Sequence, residues 1–481
     1  MSGGEGAENR GACDLGLIGL GVMGRNLALN FADHGFKVAV YNRTAEKTRR
    51  FISGEGAVPG IYPAYTLPEL LDLLRRPRHV LIMVSAGKPV DEVIGVLTPL
   101  LVRGDLIIDG GNSHFADTER RNAALAAAGI LYLGLGVSGG ELGARYGPSL
   151  MPGGSREGYE RVEPLFRAAA ARVNGEPCVS YLGPGAAGHF VKMVHNGIEY
   201  ALEQLLAEGY DLAFRGLGLN FGEIADVFTS YNRGILKSYL VEITSLILKR
   251  RDDDTGQPLV ALIADVARQK GTGIWTSKAA LDLGVPIPTI DVAVALRHLS
   301  ALKEEREAAA AVLPGPGPFF PGPGDRQGFI RKLENALAAS FITAFAQGLS
   351  LLRRASSVYQ YHLDLAAIAR LWRGGCIIRA ALLEDILGAY TNRPDLPNLL
   401  MDPVLGGKVV SRQGDGREVV KAAADWGLPA PALMTSLAYL DTYRSRRLPA
   451  NLIQAMRDCF GAHTYERVDQ PGVFHTEWLT G

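Results

Sequence analysis

Six residues near the N-terminus limit the fold of this chain more than any others: Gly19-Leu20-Gly21-Val22-Met23-Gly24. An apolar run of strand character, Asp14-Leu15-Gly16-Leu17-Ile18, precedes them, and residues 25–34 read as a helix. G-x-G-x-x-G carries meaning when it joins a strand to a helix in this way. Gly19 permits the tight turn, Gly21 lets backbone approach a pyrophosphate, and Gly24 lets helix and strand pack closely. The helix N-terminus then offers unpaired N–H groups to phosphate oxygens. The pattern predicts a dinucleotide seated on the first strand–helix turn, with Leu20, Val22 and Met23 beside it.

A second strand, Lys37 to Tyr41, ends in Asn42-Arg43-Thr44. A carboxylate at this place would accept from a ribose 2′-hydroxyl; an amide, a guanidinium and a hydroxyl suit a 2′-phosphate instead. The expected cofactor is therefore NADP. Strands at 80–84, 105–109 and 131–133 alternate with helical segments, which argues for a doubly wound parallel sheet. Ligands in such sheets lie beyond the carboxyl ends of the strands. Three loops are expected there: Val84-Ser85-Ala86-Gly87, Asp109-Gly-Gly-Asn112-Ser, and Gly136-Val-Ser138-Gly139-Gly140. The last two suit a nicotinamide and a polyhydroxy substrate.

After about residue 185 long amphipathic segments take over: 191–215, 221–250, 257–283, 289–311, 329–356, 363–387 and 419–445. The first holds Lys192, His195, Asn196 and Glu199 at i, i+3, i+4 and i+7, which places a base, an imidazole, an amide and an acid on one helix face. Apolar Phe190, Val191, Met193, Val194 and Ile198 cover the remaining faces. Such a stripe reads either as a solvated face with one Lys–Glu pair or as acid–base chemistry on a rigid element. Phe190-Val-Lys-Met-Val-His-Asn also aligns with Phe329-Ile-Arg-Lys-Leu-Glu-Asn, at an offset of about 140 residues. A duplicated helical unit follows, with the stripe in the first copy only, since Ala338 stands for Glu199 and Glu334 for His195.

The 50 basic and 50 acidic residues cancel, which argues against non-specific nucleic-acid binding. A local cationic cluster still suits a small anion; Lys270, Arg297, Arg457 and His463 are the candidates. Four scattered cysteines show no metal-ligand spacing and suggest a reducing compartment. No signal peptide or membrane span is expected, so the protein is expected in the cytoplasm. The Pro/Gly run 313–324 reads as a surface loop. The tail, with Phe474, His475 and Trp478, is expected to pack on a partner subunit. The expected organisation is a disordered segment 1–12, an NADP-binding α/β domain 13–187, an all-helical substrate and dimerisation domain 188–448, and a tail 449–481.

From residue 16 to the C-terminus the chain resembles the decarboxylating 6-phosphogluconate dehydrogenases of the pentose phosphate pathway and gluconate utilisation. The strings that carry the resemblance include Asn42-Arg-Thr, Asp109-Gly-Gly-Asn-Ser, Lys192-Met-Val-His-Asn-Gly-Ile-Glu-Tyr200, Lys270-Gly-Thr-Gly, Trp372-Arg-Gly-Gly-Cys-Ile-Ile-Arg379 and Phe460-Gly-Ala-His-Thr-Tyr-Glu466. The resemblance implies a homodimer with a Rossmann-like domain, a duplicated helical domain and a tail that crosses to the partner. It implies Lys192 as base and acid and Glu199 as the proton donor to C1. Asn112, Ser138, Gly139, Gly140, His195 and Asn196 would hold the sugar acid. Tyr200, Lys270, Arg297 and, from the partner, Arg457 and His463 would bind its phosphate, and no metal is required. Two positions depart from the family pattern: Ser85 and Ile274 stand where lysines are common.

Overall fold

The structure, a computed structural model, describes residues 11–269, 271–316 and 326–479. Strands β1 (Leu15–Ile18), β2 (Val38–Tyr41), β3 (Ile61–Pro63), β4 (His79–Ile82), β5 (Leu106–Asp109), β6 (Leu131–Ser138) and β7 (Ser149–Gly154) form one sheet in the order β3-β2-β1-β4-β5-β6-β7. All neighbours are parallel except β6 and β7. Helices α1 (Val22–Asp33), α2 (Ala45–Ile52), α3 (Leu67–Leu73), α4 (Lys88–Leu97), α5 (Phe115–Ala127), α6 (Gly140–Tyr146) and α7 (Arg156–Ala169) follow the strands. The order in which the chain adds strands reverses between β1 and β4, where a ligand crevice is expected.

Three departures from the sequence reading lie in this half. Gly136-Val-Ser138, expected as loop, is the end of β6. Strand β7 was not anticipated, because Pro152, Gly153 and Gly154 disguise it; at the sheet edge a proline costs no central hydrogen bond. The segment expected to be unstructured to residue 12 is tied down from Gly11, whose N–H donates to the Asp72 carbonyl. Residues 1–10 lie outside the described set.

The helical half opens with α8 (Ala187–Asp211), whose 25 residues span about 37 Å. Its first turns pack on β6 and β7 and its remainder enters the helical core. The fit to the sheet is tight: a Cβ on Gly188 would lie 2.3 Å from the Gly134 carbonyl oxygen and 2.4 Å from that of Met151. Beyond it run α9 (Phe221–Tyr231), α10 (Tyr239–Lys249), α11 (Leu259–Leu262), α12 (Thr272–Leu283), α13 (Pro288–Ser300), α14 (Lys303–Val312) and α15 (Arg326–Tyr359). Then come α16 (Leu365–Trp372), α17 (Leu382–Asn392), α18 (Pro403–Val410), α19 (Gln413–Asp425), α20 (Pro431–Tyr443) and α21 (Ala450–Gly461). Five expected long helices are thus broken in two. Asn232-Arg-Gly234, Ala301-Leu302, Arg373-Gly-Gly375 and Gly427-Leu-Pro429 interrupt four of them, the one expected over 257–283 is split between α11 and α12, and apolar periodicity alone does not register such stops.

The duplication appears as reciprocal contacts. A Cβ on Gly209 would meet Leu337, and one on Gly348 would meet Ile198. Glu208 accepts from the N–H groups of Ala432 (2.8 Å) and Leu433 (2.9 Å) at the start of α20. Its counterpart Gln347 accepts from the Thr289 N–H (3.0 Å) at the start of α13. Each copy therefore uses one side chain of its central helix to satisfy orphan donors of a proline-initiated helix. Helix α15 is long and apolar enough to cross a membrane, yet 83% of its most apolar window is buried in this core.

Candidate active site

The crevice begins at the β1–α1 turn. Gly19 has φ +104°, and a Cβ there would lie 2.4 Å from the Met83 carbonyl oxygen, so only glycine fits. A Cβ on Gly24 would lie 1.9 Å from the Gly19 carbonyl oxygen, whereas one on Gly21 would meet nothing within 4 Å. The backbone at Gly21 is open to a ligand, and the α1 N-terminus has no side-chain cap. This cradle fits a pyrophosphate.

Two adjoining hollows share Gly21, Met83, Val84 and Ser85. One is lined by Val22, Met23, Gly24, Ala86, Asn112, Val137, His114 and Trp275; the other by Gly19, Asn42, Arg43, Thr44 and Lys47. Asn42 is turned partly to structural use, since its Oδ1 accepts from the Leu20 N–H at 3.1 Å and fixes the Gly-rich turn to β2. Arg43 extends into solvent with its side chain 90% exposed and only a long 3.9 Å contact to Glu92, which leaves it available for an anion. His114, Trp275 and Lys47 were not singled out from sequence. Lys47, one turn beyond Thr44, could have been found by helical spacing; the His114–Trp275 edge contact, centroids 5.0 Å apart, joins residues far apart in sequence.

Asn112 stands at φ +55°, a conformation imposed by its neighbours. Asp109 accepts from the Gly111 N–H (2.9 Å) and from the Ser113 hydroxyl (2.7 Å), and buried Arg121 donates to Asp109 (3.1 Å), Ser113 (2.9 Å) and the Gly87 carbonyl (3.0 Å). One guanidinium thus couples the loops after β4 and β5.

The polar stripe of α8 lies against β6 beside this crevice. Gly136 makes room for the Lys192 stem, while neighbouring Val137 lines the crevice. Lys192 Nζ is 3.2 Å from Ser138 Oγ and 3.4 Å from His195 Nδ1. His195 Nε2 is 3.3 Å from Ser138 Oγ; its Nδ1 is 3.1 Å from Asn196 Oδ1 and 3.6 Å from Glu199 Oε2. Lys192 and His195 are buried, and the Glu199 side chain is 20% exposed. Burial favours the neutral form of each group. It lowers Lys192 from its ordinary value and holds His195 well below its own. It pushes Glu199 up to about 7, against the opposing pull of Lys192. Desolvation carries the Lys192 shift, and the neighbouring Glu199 carboxylate pulls the other way.

Gly139 (φ +108°) is pressed against the Gly375 carbonyl, whereas Gly140 (φ +62°) has open space at its Cα. Tyr200, one residue past Glu199, is buried, with the Arg297 guanidinium 3.7 Å over its ring. Arg297 also pairs with Glu203 and donates to the Arg268 carbonyl at 3.2 Å. Gly197 and Gly273 admit Thr276 and Tyr200 at contact distance, which draws α12 onto α8. Lys270 lies outside the described residues. Arg457 and His463 do not join the stripe within the chain: Arg457 donates to Gln454 (3.1 Å) and His463 stands against Phe460. Among the described residues no cluster of His, Cys, Asp and Glu could hold a metal ion.

Comparison with known proteins agrees with this geometry along the whole chain. The family model for the NAD binding domain of 6-phosphogluconate dehydrogenase matches residues 14–183, and that for the C-terminal domain of the enzyme matches 188–478. The decarboxylating 6-phosphogluconate dehydrogenase of Synechococcus elongatus is 55% identical over 97% of this chain and 99% of its own. The NADP(+)-dependent, decarboxylating enzyme of Bacillus subtilis is 49% identical at the same coverages. The solved structure of Plasmodium falciparum 6-phosphogluconate dehydrogenase superposes with a TM-score of 0.94 at 43% identity, covering 97% of this chain and all of that one. The chain belongs to the 6-phosphogluconate dehydrogenase family.

Proposed function

We propose that this chain catalyses the oxidative decarboxylation of 6-phospho-D-gluconate to D-ribulose 5-phosphate and CO2, with NADP reduced to NADPH. The carrying observation is the buried Lys192–Ser138–His195–Glu199 stripe beside a dinucleotide crevice. A curated relative is named NADP(+)-dependent and decarboxylating, and the Plasmodium structures hold NADP+ and 6-phosphogluconate. In this reading residues 19–24, Asn42, Arg43, Thr44, Val84, Ser85, Ala86 and Asn112 hold NADP, which when bound supplies the hydride acceptor.

Lys192, whose charged form burial disfavours, removes the proton of the C3 hydroxyl as C3 is oxidised. The 3-keto acid then loses its carboxylate, because the ketone takes up the electron pair of the breaking C1–C2 bond. Lys192, now protonated, donates to the developing enolate oxygen. Glu199, with a pKa near neutrality, delivers a proton to C1 of the enediol. Asn112, Ser138, Gly139, Gly140, His195 and Asn196 orient the sugar acid. Tyr200, Lys270 and Arg297 receive its phosphate.

The domain limits proposed are 13–187, 188–448 and 449–481. The tail supports a homodimer in which Arg457 and His463 reach the partner's phosphate pocket. Leu452, Ile453, Met456 and Phe460 of α21 are exposed, while Asp458, 0% exposed, gathers Thr464, His475, Thr476 and Trp478 into a knot of its own. Cys13, Cys178, Cys376 and Cys459 are free thiols, in keeping with a cytoplasmic enzyme. The test is NADPH and CO2 formation from 6-phosphogluconate against unphosphorylated gluconate, with Lys192→Met losing turnover while NADP still binds. Full turnover in that variant would refute the assignment of the base.

A further inference from the structure

The stripe on α8 does not end at Glu199. One turn further lies Glu203, whose carboxylate is paired with the Arg297 guanidinium. The pair is held from both sides. Tyr200 lies flat beneath the guanidinium at 3.7 Å, and the Arg268 carbonyl accepts from its second terminal nitrogen at 3.2 Å. The Arg297 and Glu203 side chains are 17% and 39% exposed, so the pair is part-shielded from water.

We propose that Glu203 is a positioning and specificity-tuning residue for the phosphate end of the substrate, acting through Arg297. The inference rests on the reading of Arg297 as a phosphate ligand. Two effects follow from one carboxylate. It fixes the guanidinium over Tyr200, which removes rotamer freedom before substrate arrives. It also places a negative charge within the width of one guanidinium of any anion that the same group receives. Like charges at that separation repel even under the effective dielectric of a protein surface. The carboxylate therefore weakens retention of a phosphate dianion, while an uncharged hydroxymethyl group at the same place is indifferent to it.

Glu203→Gln separates the two effects, since an amide oxygen still accepts from Arg297 but carries no charge. KM for 6-phosphogluconate is expected to fall roughly five-fold, and competitive inhibition by inorganic phosphate to tighten in step. KM for unphosphorylated gluconate is expected to stay put. A change in packing alone would move both substrates together. Arg297→Ala serves as the control. If it raises KM for 6-phosphogluconate but Glu203→Gln leaves KM and phosphate inhibition unchanged or weakened, the role of Glu203 is overturned. If Arg297→Ala leaves KM unaltered, the reading of Arg297 itself fails.

Discussion

Gly136 and Lys192 face each other across the seam between sheet and helix so closely that a Cβ on the glycine would stand 2.6 Å from the Cβ of the lysine. The missing side chain on β6 is what makes room for the Lys192 stem. Gly136→Ala should push the Lys192 stem aside, at a stability cost of about 1–3 kcal/mol. Turnover should fall at least about ten-fold, with NADP affinity retained because the new Cβ would meet Lys192 and Met151 and not the Gly19–Gly24 cradle. Steady-state kinetics and cofactor titration check this, and a fully active variant would sink it.

Glu199 is pushed up to about 7 by burial, so its proton is present below that pH and lost above it. If it acts as donor to C1, its contribution to kcat should decline as pH rises through about 7, while the need for unprotonated Lys192 sets the acid limb. Glu199→Gln should lower turnover by about 10²-fold or more. A first-turnover burst of NADPH should survive, since oxidation at C3 precedes the step that needs Glu199. Rapid-mixing absorbance of NADPH reads both phases.

Glu208, also pushed up to about 7 from an ordinary 4.5, gives a stability prediction. Between those two values the folded chain holds a proton that the unfolded chain has released, so this group makes stability fall as pH rises from 4.5 to about 7. The full effect is about 3 kcal/mol. Gln347 holds the equivalent helix in the other copy with an amide. Glu208→Gln should therefore fold and flatten that part of the pH dependence, as followed by urea unfolding at several pH values. An unchanged slope counts against the assignment.

Arg43, exposed and loosely held, is placed to select a 2′-phosphate. Arg43→Glu should weaken NADP binding by about 10- to 100-fold, the range of a lost charge-assisted hydrogen bond. NAD should suffer far less. Equal losses for both cofactors, or none, would remove Arg43 from the NADP site.

The crossing tail can be tested by mixing subunits. Arg457→Ala and Lys192→Met homodimers should each be nearly inactive with 6-phosphogluconate. Unfolded and refolded together, they should regain activity, because the hybrid holds one site with its own Lys192 and a partner's intact Arg457. If Arg457 serves its own subunit, no hybrid site is whole and nothing is regained.

Much of this site was legible because its parts are local. The Gly19–Gly24 turn, the Asn42–Thr44 end of β2 and the i, i+3, i+4, i+7 stripe each declare themselves within one element. The position of β7 was hidden by Pro152 and its glycines, whose tolerance at a sheet edge depends on a neighbour that periodicity cannot see. Trp275 reaches the crevice through packing between separate elements. A spacing shows which groups share a face, but the depth of that face is a property of the whole fold. The duplication, inferred from faint similarity, is expressed most clearly in Glu208 and Gln347, two different residues that perform one capping task.

The seating of Gly188 between the carbonyls of Gly134 and Met151 has a mechanical consequence. Helix α8 leaves that seat without a break and runs on into the helical core, so sheet and bundle share one rigid rod with no pivot between them. An enzyme made this way is poorly suited to clamshell closure over its substrates. Traffic of sugar acid and nucleotide should instead be governed by the smaller pieces at the rim, the loops after β4 and β5.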